Sequence, residues 1–332
     1  MGWLNFLAAR AARGALVLLV VLVANFFLIR LAPGDPALVI AGEVQSDDPA
    51  YLAQLRTQLG LDQPLPLQLA RYLGGVMRGD LGHSLRNHEG VAALIADRLP
   101  ATLLLLASAF SFSAFAGIAL GAWAAWARQA RRTRWLDGTI FGASMLLYAT
   151  PTFWLSLMLV IVFSVALDWL PAFGMHAMEG GGAPDGWRGA LDVARHMVLP
   201  TVALGSLYMA VYMQLTRAAM LDVMHLDFVR TAHAKGVPAA RVMRVHVLRN
   251  ALLPVLGMAG VQLGQLAGGA ILIETVFAWP GIGRLMFDAV TQRDYPLLLG
   301  SFLTTAVLVI LFNLLTDVLS RVADPRIARQ HR

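Results

Sequence analysis

Six stretches of this chain are apolar enough and long enough to cross a lipid bilayer, and polar segments separate them. A spanning helix needs roughly 20 mostly apolar residues. The candidates are Ala8–Leu31, Ala101–Ala127, Gly138–Leu167, Met197–Thr216, Ala251–Ile273 and Leu297–Thr316. Ionisable or strongly polar residues bound the last four: Asp137 and Asp168, His196 and Arg217, Asn250 and Glu274, Asp294 and Asp317. The third run is long and carries Pro151, which predicts a kink or an interfacial extension. The first has Arg10 and Arg13 at its start, as a secretion signal does. Its apolar run is too long for a typical signal core, however, and no small-x-small cleavage site closes it before Arg30. It reads as a retained span. The pattern predicts an all-α polytopic membrane protein.

Charge gives the orientation. Arg10 and Arg13 open the chain. Arg128, Arg131, Arg132 and Arg134 crowd one loop, and Arg217, Arg230, Lys235, Arg241, Arg244 and Arg249 another. Arg321, Arg326, Arg329 and Arg332 close the chain. Acids are few there (Asp137, Asp222, Asp227, Asp324), whereas the intervening segments mix both signs. Cytoplasmic loops carry the excess of Lys and Arg, so both termini are expected in the cytoplasm, consistent with an even number of spans.

Three segments then face outward. Residues 32–100 are too many for a bare loop, and Pro49–Leu61 and Leu65–Met77 each show helical spacing of apolar residues. Pro171–Arg195 is glycine-rich and reads as irregular. Glu274–Pro296 holds the turn-forming Trp279-Pro280-Gly281-Ile282-Gly283. The expected organisation is an N-terminal span (1–31), an outward segment (32–100) and a core domain (101–332) whose longest cytoplasmic loop is 217–254.

Composition agrees. The sequence is 58% hydrophobic and 14% charged, where soluble domains are near a quarter charged. With no cysteine, neither a disulfide nor a thiolate metal centre is available. The net charge of +6 lies in short segments between apolar runs, which marks a membrane protein's inner face and gives no basis for nucleic-acid binding. Catalytic motifs are lacking. A phosphate-binding loop needs G-x-x-x-x-G-K-[ST], but Lys235, the sole lysine, follows Thr231-Ala232-His233-Ala234. His88-Glu89 has no second histidine to complete H-E-x-x-H, and there is no G-x-S-x-G.

The loop from Arg217 to Pro254 reads RAAMLDVMHLDFVRTAHAKGVPAARVMRVHVLRNALLP. Its first part has helical character up to Lys235. Gly236 stands where a left-handed C-cap residue is favoured. Pro238 suits the first turn of a second helix running through Val247. Two short helices joined at an angle make a protruding knob. Physics alone leaves two uses for it: docking on a partner, or lying as a basic amphipathic pair on anionic lipid.

The segment resembles the cytoplasmic coupling loop of bacterial ABC importer permeases. Arg230-Thr231-Ala232 occupy that loop's E-A-A positions, followed by Ala234, Lys235 and the glycine Gly236. His246-Val247-Leu248-Arg249-Asn250, ending at Pro254, departs from the general I-x-L-P pattern. It is similar to the variant of the dipeptide/oligopeptide/nickel permease family. Likeness to that family recurs in order along nearly the whole chain. It includes Pro33-Gly34-Asp35-Pro36, Leu59-Gly60-Leu61-Asp62-Gln63-Pro64, Gly79-Asp80-Leu81-Gly82, Leu99-Pro100-Ala101-Thr102 and Pro151-Thr152-Phe153-Trp154. It continues through Glu274–Arg284, Arg293-Asp294-Tyr295-Pro296 and Asp324-Pro325-Arg326-Ile327.

The resemblance implies a type I ABC importer permease of the bacterial inner membrane, non-catalytic and binding no cofactor. ATP and magnesium would belong to a partner. The partners implied are a second homologous permease, two ATP-binding subunits docked on the knob, an extracytoplasmic solute-binding protein, and membrane lipid. The implied cargo is short peptides, with a nickel or metal chelate as the alternative. Polar residues in or beside the spans are Asn25, Tyr208, Tyr212, Gln214, Gln262, Gln265 and Asn313, and Glu274 lies at a span edge. Such residues join helices more often than they bind substrate. Tyr212, Gln214, Gln262, Gln265 and Glu274 are the pathway candidates. Two rivals make different demands. An ion-coupled secondary transporter would work without an ATPase, and a membrane hydrolase would need a group such as Ser144 at membrane depth.

Overall fold

The computed structural model describes residues 3–31, 49–58, 62–84, 86–129, 132–177 and 186–323. The Pro33–Pro36 motif, Leu59–Leu61 and Asp324–Ile327 lie outside the described residues. Those described are helical apart from connections and one isolated bridge between His83 and Gly90. Helix α1 is Trp3–Leu31. The segment expected to face outward holds α2 (Pro49–Gln58) and α3 (Leu65–Met77), the second with the predicted bounds. Pro64 is extended (φ −56°, ψ 140°) before α3, which Pro66 helps to open.

Helix α4, Val91–Ala127, is 37 residues long. At 1.5 Å per residue it runs about 55 Å, well beyond a bilayer's hydrocarbon. The third predicted span is broken. Helix α5 (Arg134–Ala149) and α6 (Thr152–Leu159, extended by a π-helical turn over Val160–Ala166) meet at 107°.

 The reason is local. Pro151 has no N–H to donate and holds Thr150 extended (ψ 126°), so the chain turns there instead of bending gently. Each arm is shorter than a bilayer requires. Helix α7, Gly186–Met224, is 39 residues long and carries Pro200 within it. It begins well before Met197 and ends well after Thr216, because hydropathy marks where a helix meets lipid and nothing at His196 or Arg217 breaks it. The segment Pro171–Arg195, expected to face outward and to be irregular, therefore ends in helix.

Helix α8 is Asp227–Ala234. Beyond it, α9 (Ala239–Arg241), a π-helical turn (Val242–Leu248) and α10 (Arg249–Val276) follow without a gap. Helix α10 bends by 54° between Met258 and Val261, one turn past Pro254 and directly after Gly257. Helices α11 (Ile282–Thr291) and α12 (Tyr295–Ala323) complete the order. Helix α11 was not expected: Glu274–Pro296 reads as a turn in sequence. Its buried face is Ile282, Leu285, Met286 and Ala289, a helical spacing that the Trp-Pro-Gly signal masks. Among the described residues, four helices are long and apolar enough to cross a membrane, or up to six if each bent pair forms one span.

The chain divides into two compact units, residues 1–100 with 281–310, and residues 101–280 with 311–332. The core of the first is Val91, Ile95, Ile282, Leu285, Ala289 and Leu297. Buried Asp294 caps α12 there, accepting from the Leu297 amide (3.3 Å) and from the Ser84 hydroxyl.

Candidate functional site

The predicted knob lies wholly in the second unit. Helix α7 carries the chain to Met224, and His225 and Leu226 then turn it through bonds back to Asp222 and Val223. Leu226 is extended (ψ 148°) and Asp227 opens α8, where its charge suits the positive end of the helix. The first arm is therefore two helices with a break at His225–Leu226, a correction to the single helix expected up to Lys235. Neither residue is a strong breaker in sequence.

The far end of α8 is as expected. Gly236 has φ +74°. Its amide donates to the His233 carbonyl (2.9 Å) and the Val237 amide donates to the Ala232 carbonyl (3.2 Å). That pair of bonds is the Schellman arrangement, which satisfies the last carbonyls of a helix and favours glycine at the left-handed position. An ideal Cβ on Gly236 would meet nothing within 4 Å. The glycine is there for its backbone conformation and not for space.

Pro238 (φ −55°, ψ 136°) precedes the second arm and stands just outside its first turn. That arm was expected to end at Val247. It runs on through the π-helical turn into α10, so the knob is continuous with a spanning helix. The Asn250 side-chain amide donates to the His246 carbonyl at 2.6 Å, supplying a partner where the ladder changes step. Pro254 lies within α10.

A buried apolar core holds the knob together. Val229 and Ala232 from α8, Val242 and Val247 from the second arm and Ala251 from α10 pack with Met220 of α7 and Ala125 of α4. Of the residues singled out in sequence, Ala232 belongs to this core. Arg230, Thr231, Ala234, Lys235, Gly236, Arg249, Asn250 and Pro254 are exposed, and His246 is half-buried. The outer surface thus joins the cations Arg230, Lys235, Arg241, Arg244 and Arg249 to the exposed apolar side chains Leu226, Phe228 and Val245. The Arg230–Asp227 pair (3.7 Å) is solvent-exposed and adds little.

One feature beside the knob escaped the sequence reading. Asp137, in the first turn of α5, accepts from Arg217 through one edge of the guanidinium, Nε to Oδ1 at 2.5 Å and NH2 to Oδ2 at 2.8 Å. Arg128 approaches the same carboxylate at 3.4 Å, and Arg217 lies 5.3 Å over the Phe141 ring. The available signal was a lone acid among the arginines of residues 128–137.

The pathway candidates divide by exposure. Tyr212 and Gln262 are buried, each only 1% exposed. Gln214 is half-buried, with its amide donating to Met145 Sδ at 3.0 Å. Glu274 is fully buried and accepts from the Thr102 hydroxyl at 2.8 Å. Only Gln265 of the five is exposed. Near Glu274, the Trp279 indole donates to the Ala101 carbonyl at 2.9 Å, tying the end of α10 to α4.

Comparison with known proteins covers nearly all of the chain. Residues 117–329 match the family described as binding-protein-dependent transport system inner membrane component, and residues 3–106 match its N-terminal companion. The chain is 41% identical to the di/tripeptide transport system permease protein DppB of Pseudomonas aeruginosa, over 98% of this chain and 99% of that one. It is 38% identical to the dipeptide transport system permease protein DppB of Escherichia coli K12, over 91% and 92%. A putative peptide transport system permease of Brucella abortus is also 38% identical, over 96% and 97%. Among solved structures, the inward-facing MetNI methionine ABC transporter superposes with a TM-score of 0.52 and 16% identity. That match covers 70% of this chain and 96% of that one, and it shows the fold alone.

Proposed function

The chain belongs to the binding-protein-dependent inner-membrane transport permeases, and from that premise we propose that it moves di- and oligopeptides inward across the membrane. It is the permease subunit of an ABC importer, with the type I permease fold. The peptide cargo is supported by the names of relatives that match it along nearly their whole length.

The observation that carries the mechanism is the knob. A single left-handed glycine fixes the angle between two arms, and one buried core joins both arms to α4, α7 and α10. A load applied at Lys235 or Arg230 therefore reaches spanning helices through packed side chains, not through a flexible tether. The exposed cations and apolar side chains around Gly236 form the face that meets an ATP-binding subunit. Arg230, Thr231, Ala234, Lys235, His246, Arg249 and Asn250 lie on or next to that face, while Ala232 and Pro254 shape the arms.

This chain holds neither ATP nor magnesium in this reading. Two ATP-binding subunits do, and a second homologous permease completes the pathway. An extracytoplasmic binding protein delivers the peptide. Both termini lie in the cytoplasm, by the distribution of arginine. ATP binding by the partner favours one arrangement of the spans and hydrolysis favours the other, a shift in population set by differential contact at the knob. Within the pathway, Gln265 is the candidate best placed to meet a peptide in this conformation, because it alone of the five is exposed.

The test is reconstitution. Proteoliposomes holding the complete transporter and its binding protein accumulate labelled dipeptide only when ATP is supplied. Accumulation by vesicles lacking the ATP-binding subunits would overturn the reading.

A further inference from the structure

We propose that Asp137 and Arg217 form the joint through which the knob's motion is passed to α5, so that they are positioning residues for coupling. The inference rests on the knob reading above and adds to it the route taken inside the membrane domain.

Several observations place a joint here. Arg217 stands one helical turn from Met220, which belongs to the knob core. Asp137 is 5% exposed, and the Asp137 and Arg217 side chains keep 7% and 16% of their accessible surface, so water does little to screen them. The contact is two-pronged. A guanidinium gripping both carboxylate oxygens fixes orientation as well as distance, which a single point charge does not. Phe141, one turn along α5 from Asp137, lies under the same guanidinium.

Along the same stretch of α7, α4 leaves no slack. A Cβ on Gly121 would fall 2.5 Å from the Met213 carbonyl oxygen and 3.1 Å from the Arg217 amide nitrogen, and one on Gly117 would fall 2.7 Å from the Met209 carbonyl oxygen. Helix α7 is therefore pressed against α4 by backbone contact, and against α5 by the ion pair, within the stretch that leads into the knob. The backbone contact resists separation of α4 and α7. The ion pair is the element that makes α5 follow. Arg128, with half of its side chain exposed, supports the carboxylate from the loop between α4 and α5.

A buried charge without its partner is costly, so a merely structural pair and a coupling pair both weaken when one member is lost. The two roles separate in the ratio of transport to ATP hydrolysis. The experiment uses the complete transporter in proteoliposomes and reads peptide uptake and ATP hydrolysis per assembled complex. The variants are Asp137→Asn, Arg217→Lys, the exchange Asp137→Arg with Arg217→Asp, and Gly236→Val. Arg217→Lys keeps the charge but loses the fork, which guards against a misfolded Asp137→Asn.

The expected result is that Asp137→Asn and Arg217→Lys keep hydrolysing ATP while uptake per ATP falls by about tenfold, the size of a typical coupling between sites. The exchange restores part of the ratio. A ratio equal to the parent's in both single variants overturns the joint, as does a parallel fall in uptake and hydrolysis. If Gly236→Val also transports normally, the knob reading itself fails. If Gly236→Val uncouples while Asp137→Asn and Arg217→Lys do not, only the joint fails.

Discussion

At the scale of single residues, glycine does two different jobs in this chain, and the structure separates them. Gly236 needs a conformation, φ +74°, with open space around its ideal Cβ. A left-handed backbone costs most L-residues roughly 1–2 kcal/mol, and asparagine tolerates it better than β-branched residues do. Gly236→Asn is therefore expected to keep most of the uptake. Gly236→Val is expected to lose about tenfold or more, because valine drives the chain out of the Schellman turn and alters the angle between the arms. Both variants insert into the membrane in normal amount. Uptake assays alongside quantified membrane protein check this, and equal uptake by the two would show that the turn's conformation is unimportant. Ala278 (φ +52°) holds a similar turn at the end of α10 without a glycine, and its Trp279 neighbour is anchored to the Ala101 carbonyl. There, tertiary contacts maintain what glycine supplies at Gly236.

At the scale of elements, the opposite kind of glycine governs how α4 meets α7. Gly117 and Gly121 face Met209, Tyr212, Met213 and Thr216 at distances no real Cβ adopts. Small residues at such crossings let backbones approach closely, which is how helices associate in lipid. Gly121→Val should force the pair apart and lower stability by about 1–3 kcal/mol, the usual cost of overpacking. Gly142→Ala on α5, where nothing lies within 4 Å, should be neutral or slightly stabilising. Thermal unfolding of the detergent-solubilised chain measures both, and an unshifted midpoint for Gly121→Val would contradict the close crossing.

The elements were legible in sequence where local chemistry decides them. Leu65–Met77 follows from apolar spacing behind a proline, the break at Pro151 from a missing amide, and the left-handed end of α8 from Gly236. What escaped depends on partners distant in sequence. Helix α11 is stabilised by burial against Val91 and Ile95 in the first unit, which no local pattern reveals. The ends of α7 are invisible to hydropathy because a helix continues past the lipid without any change of backbone. Asp137 looked like a span boundary. Its role becomes visible only when Arg217, 80 positions away, is seen to grip it.

At the scale of the whole molecule, the proposed role of the knob is to pass on, from the cytoplasmic side, work done by a separate ATPase. The competing physical use of a basic, partly apolar helix pair is to lie on anionic lipid, and both uses draw on the same exposed side chains. Contact at the knob separates them directly. A photo-crosslinking amino acid placed at Thr231 or Lys235, both exposed, with a control at exposed Met77 in the segment proposed to face outward, is introduced into the complete transporter in its membrane. The chain has no cysteine to confound thiol-based versions of the same experiment. The account predicts that irradiation joins Thr231 and Lys235 to the ATP-binding subunit, identified by mass, and that Met77 yields no such adduct. Adducts from Thr231 and Lys235 to lipid alone, in complexes that still hydrolyse ATP and import peptide, would contradict it.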